Sequence, residues 1–593
     1  MPALLRTSCA LLALAACGPS TPERVDSVIL ITLDTTRADA LGCYGGQERA
    51  TPNLTALASE SRLFERARSV APLTAPAHAS MLTGLIPPRH GVRDNGIARL
   101  PSDARTLAER ARDAGLDTAA FVSALVLDRR FGLDQGFDVY DQPEPPKAQL
   151  SSHYVERDAR ATLAAATRWL AERDDERRFF VWIHLFDAHV PYRPPDECLA
   201  LAGGDPYRGE LAYVDRELGA FLAGARERGE LDRSLLIVVG DHGESLGEHG
   251  EATHSAFCYD ATLAVPLLVR DPHGFGAGER SRAIVSVVDV FPTALAALGL
   301  AAPEGFGALG ASGAPRASDT TGSEATHDGL DLRGSVPADR GVYCESYSGY
   351  LNYGWSPLAG VADADAKFLA SSEPELYDLV RDPHERTNHA AERAQQVDAA
   401  KQRLAEFLAR PALAPEPFGA SAELIAELRE LGYAASGDAA PTLPSPLAPS
   451  DRPSPRSRAA ELEPLLLAND ALDGRRWEDA RHRLEPIVAA NPKHALAHDL
   501  AALAALQLSD FTRAKELLTA RLALGAERAD TRINLAIACE NLGELPRAER
   551  EWRRALELDP LNSQAVDGLA ALCERTGRNA EAAELRASLQ SRR

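Results

Sequence analysis

Lysine is scarce in this chain of 593 residues. Lysine and arginine together number 64, yet the only lysines are at positions 147, 367, 401, 493 and 515. Acidic residues outnumber the cations, and the formal net charge is -22. Because binding to nucleic-acid phosphates requires clustered cations, this balance argues against a nucleic-acid partner.

Regular cysteine spacing and long apolar runs are also lacking. The cysteines after Cys17 form no Cys-x-x-Cys pair, so neither a disulfide framework nor a thiolate metal site is indicated. The apolar run in MPALLRTSCALLALAACGPS is too short to span a membrane, and residues 1–17 have the layout of a signal peptide. The small residues before Cys17 resemble the lipobox of bacterial lipoproteins. We therefore expect an exported lipoprotein anchored to a bacterial membrane, on the periplasmic face or cell surface; a plain secretory peptide is the alternative.

The length predicts two or three domains. Residues 25–435 alternate short apolar runs with helical stretches, and the runs at 27–33, 179–183 and 235–239 predict buried strands. Residues 52–68 and 106–115 are amphipathic segments between such runs. Strands that are apolar on both faces predict an α/β fold, with a central, mostly parallel sheet sandwiched by helices. Functional residues of such a sheet gather at the carboxyl ends of its strands.

The C-terminal part of the chain has a different pattern. Residues 436–457 are rich in proline, alanine and serine and predict a linker. In residues 458–593 a helical pattern repeats every 34 residues, with small residues at Ala480, Ala514, Ala548 and Ala582. This period resembles tetratricopeptide repeats, although an irregular helical bundle is the alternative. Stacked repeats form a concave surface, so we expect this domain to bind a protein or peptide partner.

Candidate metal ligands follow two of the predicted strands. Asp34 comes directly after the first strand, and Asp241 and His242 come after the run at 235–239. A lone aspartate at a strand end is usually a cap or turn residue. Two such ends, one of them Asp-His-Gly, favour a metal site instead. Carboxylates with imidazole suit Zn or Mn, whereas an oxygen-only set suits Ca or Mg.

Several ordered motifs then identify a family. The segments LDTTRADALGCYG, APLTAPAHASMLTGLIPPRHGVRDNG, DAHVPY, GDHGESLGEHG and a later ELYDL-xxDP resemble the sulfatase family of the alkaline phosphatase superfamily. The resemblance covers residues 25–435. It implies an α/β sandwich and a site that hydrolyses an anionic sulfate or phosphate ester.

The departures from the family pattern are informative. By register Thr74 stands where sulfatases have the cysteine or serine that becomes formylglycine, and a threonine cannot form that aldehyde. Thr35 replaces the second aspartate of the first motif, and His254 stands where a lysine is typical. No lysine occurs between Lys147 and Lys367, which removes the family's usual active-site lysines.

With these departures the motif residues resemble the two-metal nucleotide pyrophosphatase and phosphodiesterase branch of the superfamily. That resemblance implies one metal bound by Asp34, Asp241, His242 and the Thr74 hydroxyl. The second metal would be bound by Asp187, His189 and His254. We therefore expect two divalent metals, Zn or Mn, with a single Ca or Mg as the alternative.

The implied reaction begins at Thr74. A metal would lower the pKa of its hydroxyl, which would attack phosphorus or sulfur in line. Thr74 is expected to open a helix whose N-terminus faces the anionic ester. His78 and His189 complete the catalytic candidates, with His189 alternatively orienting the substrate, and the pocket-lining candidates are Arg37, Asn95 and His249. His184 is expected to pack in the core.

The sequence thus predicts a sulfatase-family, metal-dependent hydrolase of sulfate or phosphate esters that uses a threonine nucleophile. One alternative is a phosphodiesterase or a transferase of a phosphoethanolamine-like group. Another is a catalytically inactive scaffold that acts through its repeats.

Overall fold

The structure is a computed structural model that describes residues 22–143, 157–300, 327–416, 442–525 and 527–592. The predicted signal peptide, residues 1–17, lies outside the described residues, as do residues 436–441 of the predicted linker. Within the described ranges, no helix combines the length and the apolar character needed to cross a membrane.

A large, mostly parallel sheet forms the centre of the N-terminal domain, as the sequence predicts. Its strand order is β4-β3-β5-β1-β6-β7-β2-β8, and β7 alone runs antiparallel to its neighbours within this sheet. The bounds are β1 Ser27–Leu33, β2 Arg62–Arg68, β3 Asp117–Phe121, β4 Val139–Asp141, β5 Phe179–Leu185, β6 Ser234–Gly240, β7 Leu267–Arg270 and β8 Arg280–Ser286. The three predicted strands are the adjacent strands β5, β1 and β6.

Both faces of this sheet are covered, which confirms the predicted sandwich. Along β1, Val28 and Leu30 belong to one apolar core, whereas Ile29 and Ile31 belong to the other. The helices of this domain are α1 Pro52–Ser59, α2 Thr74–Thr83, α3 Pro87–His90, α4 Leu107–Asp113, α5 Ala159–Glu172, α6 Asp196–Leu201, α7 Pro206–Glu227, α8 Asp260–Leu263, α9 Val290–Leu298, α10 Ser348–Asn352 and α11 Ala394–Leu408.

Two features differ from the expectation. Residues 62–68, part of the amphipathic segment 52–68, form β2 between β7 and β8, with Leu63, Phe64 and Ala67 buried and Glu65 exposed. A second, antiparallel sheet was not predicted. It has the order β12-β11-β10-β9, with strands β9 Val342–Ser346, β10 Leu358–Ala362, β11 Ala366–Ala370 and β12 Glu375–Asp378.

The described residues from 456 to 592 form an all-helical unit, called the helical domain below. After a 3₁₀ turn at Arg456–Glu461 its helices are α12 Leu462–Asp473, α13 Trp477–Ala490, α14 Ala495–Gln507, α15 Phe511–Ala523, α16 Ala529–Asn541, α17 Leu545–Leu558, α18 Ser563–Arg575 and α19 Asn579–Arg592. The starts of α13, α15, α17 and α19 are 34 residues apart, and the four predicted small residues are all buried. This arrangement is compatible with repeats.

Candidate active site and metal centre

Three neighbouring parallel strands end beside one another at the carboxyl edge of the large sheet. In β1, Leu33 pairs with Leu185 on one side and with Gly240 on the other. The Asp34 amide then donates to the Leu185 carbonyl (2.9 Å), and the Asp241 amide donates to the Leu33 carbonyl (3.2 Å). The two aspartates therefore leave the sheet side by side.

Asp34, Asp241 and His242 form a buried group whose ligand atoms lie within 4.8 Å of one another. His242 Nε2 is 3.7 Å from Asp34 Oδ1 and 3.6 Å from Asp241 Oδ2. Asp34 Oδ1 and Asp241 Oδ2 have no hydrogen-bond partner among the described residues, and burial raises the pKa of both aspartates. Buried, unpaired carboxylates are costly, and a bound cation removes that cost.

Neighbouring protein groups contact the remaining polar atoms of Asp34, Asp241 and His242. Asp34 Oδ2 lies 3.1 Å from His184 Nε2, and Asp241 Oδ1 accepts the His242 amide (2.7 Å). His242 Nδ1 donates to the Gly243 carbonyl (3.0 Å), so its Nε2 keeps the lone pair that a metal requires. Two carboxylates and one imidazole with free ligand atoms fit a divalent transition-metal ion.

Thr74, the first residue of α2, lies against this group. Its Oγ1 is 3.3 Å from His242 Nε2, and the residue is buried. The N-cap residue Leu73 supplies no side-chain cap, and Asn95 Oδ1 accepts the Ala75 amide instead (2.9 Å). The Thr74 hydroxyl therefore faces the candidate metal ligands and takes no part in capping the helix.

His78 fixes α2 from the next turn. Its Nδ1 donates to the Thr74 carbonyl (2.8 Å), and its Nε2 lies 3.0 Å from Thr32 Oγ1, which also accepts the Trp182 indole N–H (3.0 Å). Burial lowers the pKa of His78 to about 3, so the ring is neutral. Because both ring nitrogens are engaged, the structure gives His78 a positioning role for Thr74.

His184, expected in the core, lies beside a candidate metal ligand. It also forms a second buried group of potential ligands with His78 and Asp241. Its Nε2 is already occupied by Asp34, and its Nδ1 lies 3.4 Å from the Ser123 amide. Since the histidine nitrogens of this group are engaged within the protein, the group orients the two carboxylates and offers few free ligand atoms.

Thr35 is held in a strained backbone conformation directly after Asp34. Its φ is 47°, which is unusual for a β-branched residue. The Thr35 amide donates to Asp241 Oδ1 (3.2 Å), and its carbonyl accepts the Tyr207 hydroxyl (2.8 Å). These contacts maintain the turn between the sheet and the candidate metal ligands.

The structure brings the His189 and His254 rings to this site, whereas Asp187 belongs to neither group of potential metal ligands among the described residues. The His254 ring lies 4.5 Å from the His242 ring and 5.2 Å from the His189 ring, centroid to centroid. Burial raises the pKa of Asp187 to about 8, and the nearby Glu210 carboxylate adds to this effect. Among the described residues, Asp187, His189 and His254 do not bring ligand atoms within 4.8 Å of one another.

Glu244 is a buried site residue that the sequence analysis did not identify. Its Oε1 lies 3.2 Å from His254 Nδ1, and its Oε2 accepts the Tyr192 hydroxyl (2.9 Å). Glu244 thereby sets the orientation of the His254 ring. Its position two residues after His242 was the available signal, but a glutamate in a turn is ordinarily solvated.

Two of the predicted pocket residues are engaged in local contacts. The Arg37 guanidinium forms a bidentate pair with Asp39 (2.8 and 2.7 Å) and a further pair with Glu248 (2.7 Å). His249 stacks on Tyr259 with the ring centroids 3.7 Å apart. The third, Asn95, has a buried Nδ2 with no partner among the described residues. It is therefore the candidate with a free donor beside Thr74.

The buried lysine of the N-terminal domain lies in an ion cluster. Lys367 is fully buried, and its Nζ contacts Asp260 and Glu385. Arg68 completes the cluster with a bidentate pair to Asp260 (2.9 and 2.7 Å). Because these carboxylates form ion pairs with Lys367, its ammonium group supplies no free charge to an anionic substrate.

Comparison with known proteins agrees with this geometry. Residues 26–300 match the sequence model of the family described as Sulfatase. An N-acetylglucosamine-6-O-sulfatase from Bacteroides thetaiotaomicron is 23% identical over 505 residues, covering 65% of this chain and 87% of the relative. An arylsulfatase from Clostridium perfringens is 23% identical over 332 residues, covering 42% of this chain and 68% of the relative.

A solved structure shows the same fold. The phosphonate monoester hydrolase of Agrobacterium radiobacter superposes with a TM-score of 0.52 at 23% identity. The superposition covers 64% of this chain and 95% of that protein.

Proposed function

Residues 26–300 of this chain belong to the sulfatase family, and from that premise we propose that it is a metal-dependent hydrolase of sulfate or phosphate esters with Thr74 as nucleophile. The observation that carries the proposal is the position of the Thr74 hydroxyl. It lies 3.3 Å from His242 Nε2, next to two carboxylates that each leave one buried oxygen unpaired.

The cation would be held by Asp34, Asp241 and His242. When bound, it would lower the pKa of a neighbouring hydroxyl and neutralise the anionic ester. Because an imidazole joins the carboxylates, we propose Zn or Mn in preference to Ca or Mg. The second predicted cation, at His189 and His254, would require Asp187 to turn from its present position, so the metal count tests it directly.

The chain's own residues carry out the ester cleavage. The Thr74 hydroxyl loses its proton and its oxygen forms a bond to phosphorus or sulfur while the bond to the leaving alcohol breaks, and the alcohol oxygen gains one proton. Water then cleaves the threonine ester and releases sulfate or phosphate. Asn95 Nδ2, the unpaired donor at the start of α2, is placed to donate to an oxygen of the anionic group.

The substitution pattern favours phosphodiester or phosphonate substrates as the second candidate. The nucleophile is a threonine, which cannot become formylglycine, and the buried Lys367 is neutralised by carboxylates. His254 stands where a lysine is typical of the family, and burial lowers the pKa of its ring, so it does not supply the lysine's charge. The assembled ligand group argues against an inactive scaffold.

Metal analysis combined with paired assays tests this proposal. The purified full chain should retain a divalent metal and turn over aryl phosphodiesters, aryl phosphonates or aryl sulfates. Fast sulfate turnover with one Ca per chain would contradict the assigned metal and the substrate preference. Activity no greater than that of the Asp241→Ala variant, across all three substrate types, would reject an enzymatic role.

We also propose that the chain is exported and lipid-anchored through Cys17, and that the helical domain is a tetratricopeptide-repeat domain that binds a protein or peptide. The 34-residue spacing of its helices supports the second part. Mass spectrometry of the membrane fraction, searching for an acylated Cys17 at the mature N-terminus, tests the anchor.

A further inference from the structure

The helical domain is joined to the N-terminal domain through a shared apolar core close to the active site. This core contains Ala256, Phe257 and Cys258, which follow His254 in the chain, and it is packed by Ala459 and Leu462 of the helical domain. The predicted linker does not separate the two domains at this point. The segment that follows His254 is instead packed against residues of both domains.

Tyr353 is the residue that contacts both sides of this junction. Its ring packs against the core of the helical domain as well as against the shared core. The His494 ring lies 5.4 Å from the Tyr353 ring, and Asn491 Nδ2 donates to the Tyr353 carbonyl (2.8 Å). The turn between α13 and α14 therefore holds Tyr353 by its backbone and by its ring.

The next residue shows how closely the two domains approach. Gly354 has a φ of +71°, and a Cβ at this position would lie 2.3 Å from the Lys493 carbonyl oxygen. Trp355 follows, and its indole N–H donates to Glu461 Oε2 of the helical domain (3.1 Å). The segment 353–355 is thus fixed to the helical domain at three consecutive residues.

On its other side Tyr353 reaches the active-site loop. The Tyr353 ring packs against the shared core, whose members Ala256, Phe257 and Cys258 directly follow Ser255 and His254. Ser255 has a φ of 101°, a conformation that a non-glycine residue keeps only when its surroundings hold it. Ser348 Oγ adds a weak contact to Ser255 Oγ (3.5 Å).

From these contacts we propose that Tyr353 is a positioning residue through which the helical domain sets the place of the active-site residue His254. The turn at 491–494 holds Tyr353, and the Tyr353 ring packs against the residues that follow His254 and the strained Ser255. The expected effect on activity rests on the proposed function, whereas the expected effect on the position of the segment around His254 does not.

Hydrogen exchange of the full chain tests the structural part. Tyr353→Ala removes the ring that packs against both cores, and Asn491→Ala removes the donor to the Tyr353 carbonyl from the helical domain. Both variants should raise amide exchange in peptides covering residues 251–259. The matched controls, Tyr350→Ala and Lys493→Ala, remove a ring that contacts the Arg452 guanidinium (3.9 Å) and an ion pair with Asp451, and should leave these peptides unchanged.

Steady-state kinetics test the catalytic part. Tyr353→Ala should lower kcat by about 10-fold with little change in KM, because a misplaced histidine affects the reaction more than the binding of the ester. Equal effects of the four variants on exchange and on kcat would overturn the proposal, since Tyr353 would then be an ordinary interface residue. An inactive wild-type chain would reject the proposed function alone, and the exchange data would still decide the role of Tyr353.

Discussion

The hydroxyl oxygen of Thr74 lies 3.3 Å from Nε2 of His242, at the start of a helix whose second amide, that of Ala75, donates to Asn95 Oδ1. A threonine at a helix start ordinarily uses its hydroxyl as the cap. Here Asn95 performs that task, and the Thr74 hydroxyl is left facing three candidate metal ligands. A hydroxyl in this position is expected of a nucleophile and not of a capping residue.

Replacement of Thr74 should abolish turnover without removing the metal. We expect Thr74→Ala to lower kcat/KM by at least about 10³-fold, because the attacking oxygen is lost. Thr74→Ser keeps the oxygen and should retain measurable turnover. Metal content measured by mass spectrometry should match the wild type in both variants. Undiminished turnover by Thr74→Ala would show that water attacks the ester directly.

Loss of one carboxylate ligand should lower the metal content. Asp241→Asn leaves a neutral amide where the cation requires charge, and we expect metal affinity to fall by at least about 10-fold. Asp205→Asn is the matched control, since Asp205 caps α7 through the Arg208 amide (3.1 Å) and does not belong to the candidate ligand group. Equal metal content in both variants would contradict the assigned ligand set.

Glu244 should act through His254. Glu244→Ala removes the acceptor for the His254 ring, and we expect kcat to fall by about 10- to 100-fold, as for other residues that orient a site histidine. Glu244→Gln retains an acceptor oxygen and should recover part of that loss. The prediction fails if the two variants are equally impaired, because the ring orientation would then not depend on this hydrogen bond.

Acid should destabilise the helical domain through His494. Burial lowers the pKa of His494 to about 3, with the charge of His498 as a further cause, and Nδ1 accepts the Ala497 amide (3.1 Å). The unfolded chain binds a proton below its ordinary pKa of about 6.5, while the folded chain does not until about pH 3, so the free energy of unfolding falls as pH drops between these values.

His494→Asn keeps an acceptor for the helix start and removes the titration. Its free energy of unfolding should therefore lose about 2 kcal/mol less than the wild type between pH 6.5 and 4.5. Urea denaturation at both pH values measures the difference, with the exposed His482→Asn as control. Parallel pH dependence in wild type and His494→Asn would contradict the assignment.

The Lys367 cluster should be important for stability. Lys367→Met leaves the buried carboxylates of Asp260 and Glu385 without one cation, and we expect the free energy of unfolding to fall by about 3–5 kcal/mol. Lys401→Met, on α11, is the control for loss of a lysine. A change below about 1 kcal/mol in thermal or urea unfolding would show that Arg68 alone neutralises the cluster.

The sequence by itself determined the central sheet and the meeting of Asp34 with Asp241. Short runs that are apolar on both faces favour buried strands, and parallel strands place their following residues at one edge. The helical period of 34 residues was also present in the chain, because small residues recur where helices pack closely. The antiparallel sheet at β9 to β12 was not predicted, since its short strands carry no distinctive pattern.

Only the tertiary structure decided which side chains face one another. Asp187 and His189 are two residues apart, yet Asp187 belongs to neither group of potential metal ligands and the His189 ring lies beside His254. Side-chain direction in a loop depends on the packing around it, and a sequence does not encode that locally. The roles of Glu244 and Tyr353 were hidden for the same reason, because each depends on partners far away in the chain that only folding brings into contact.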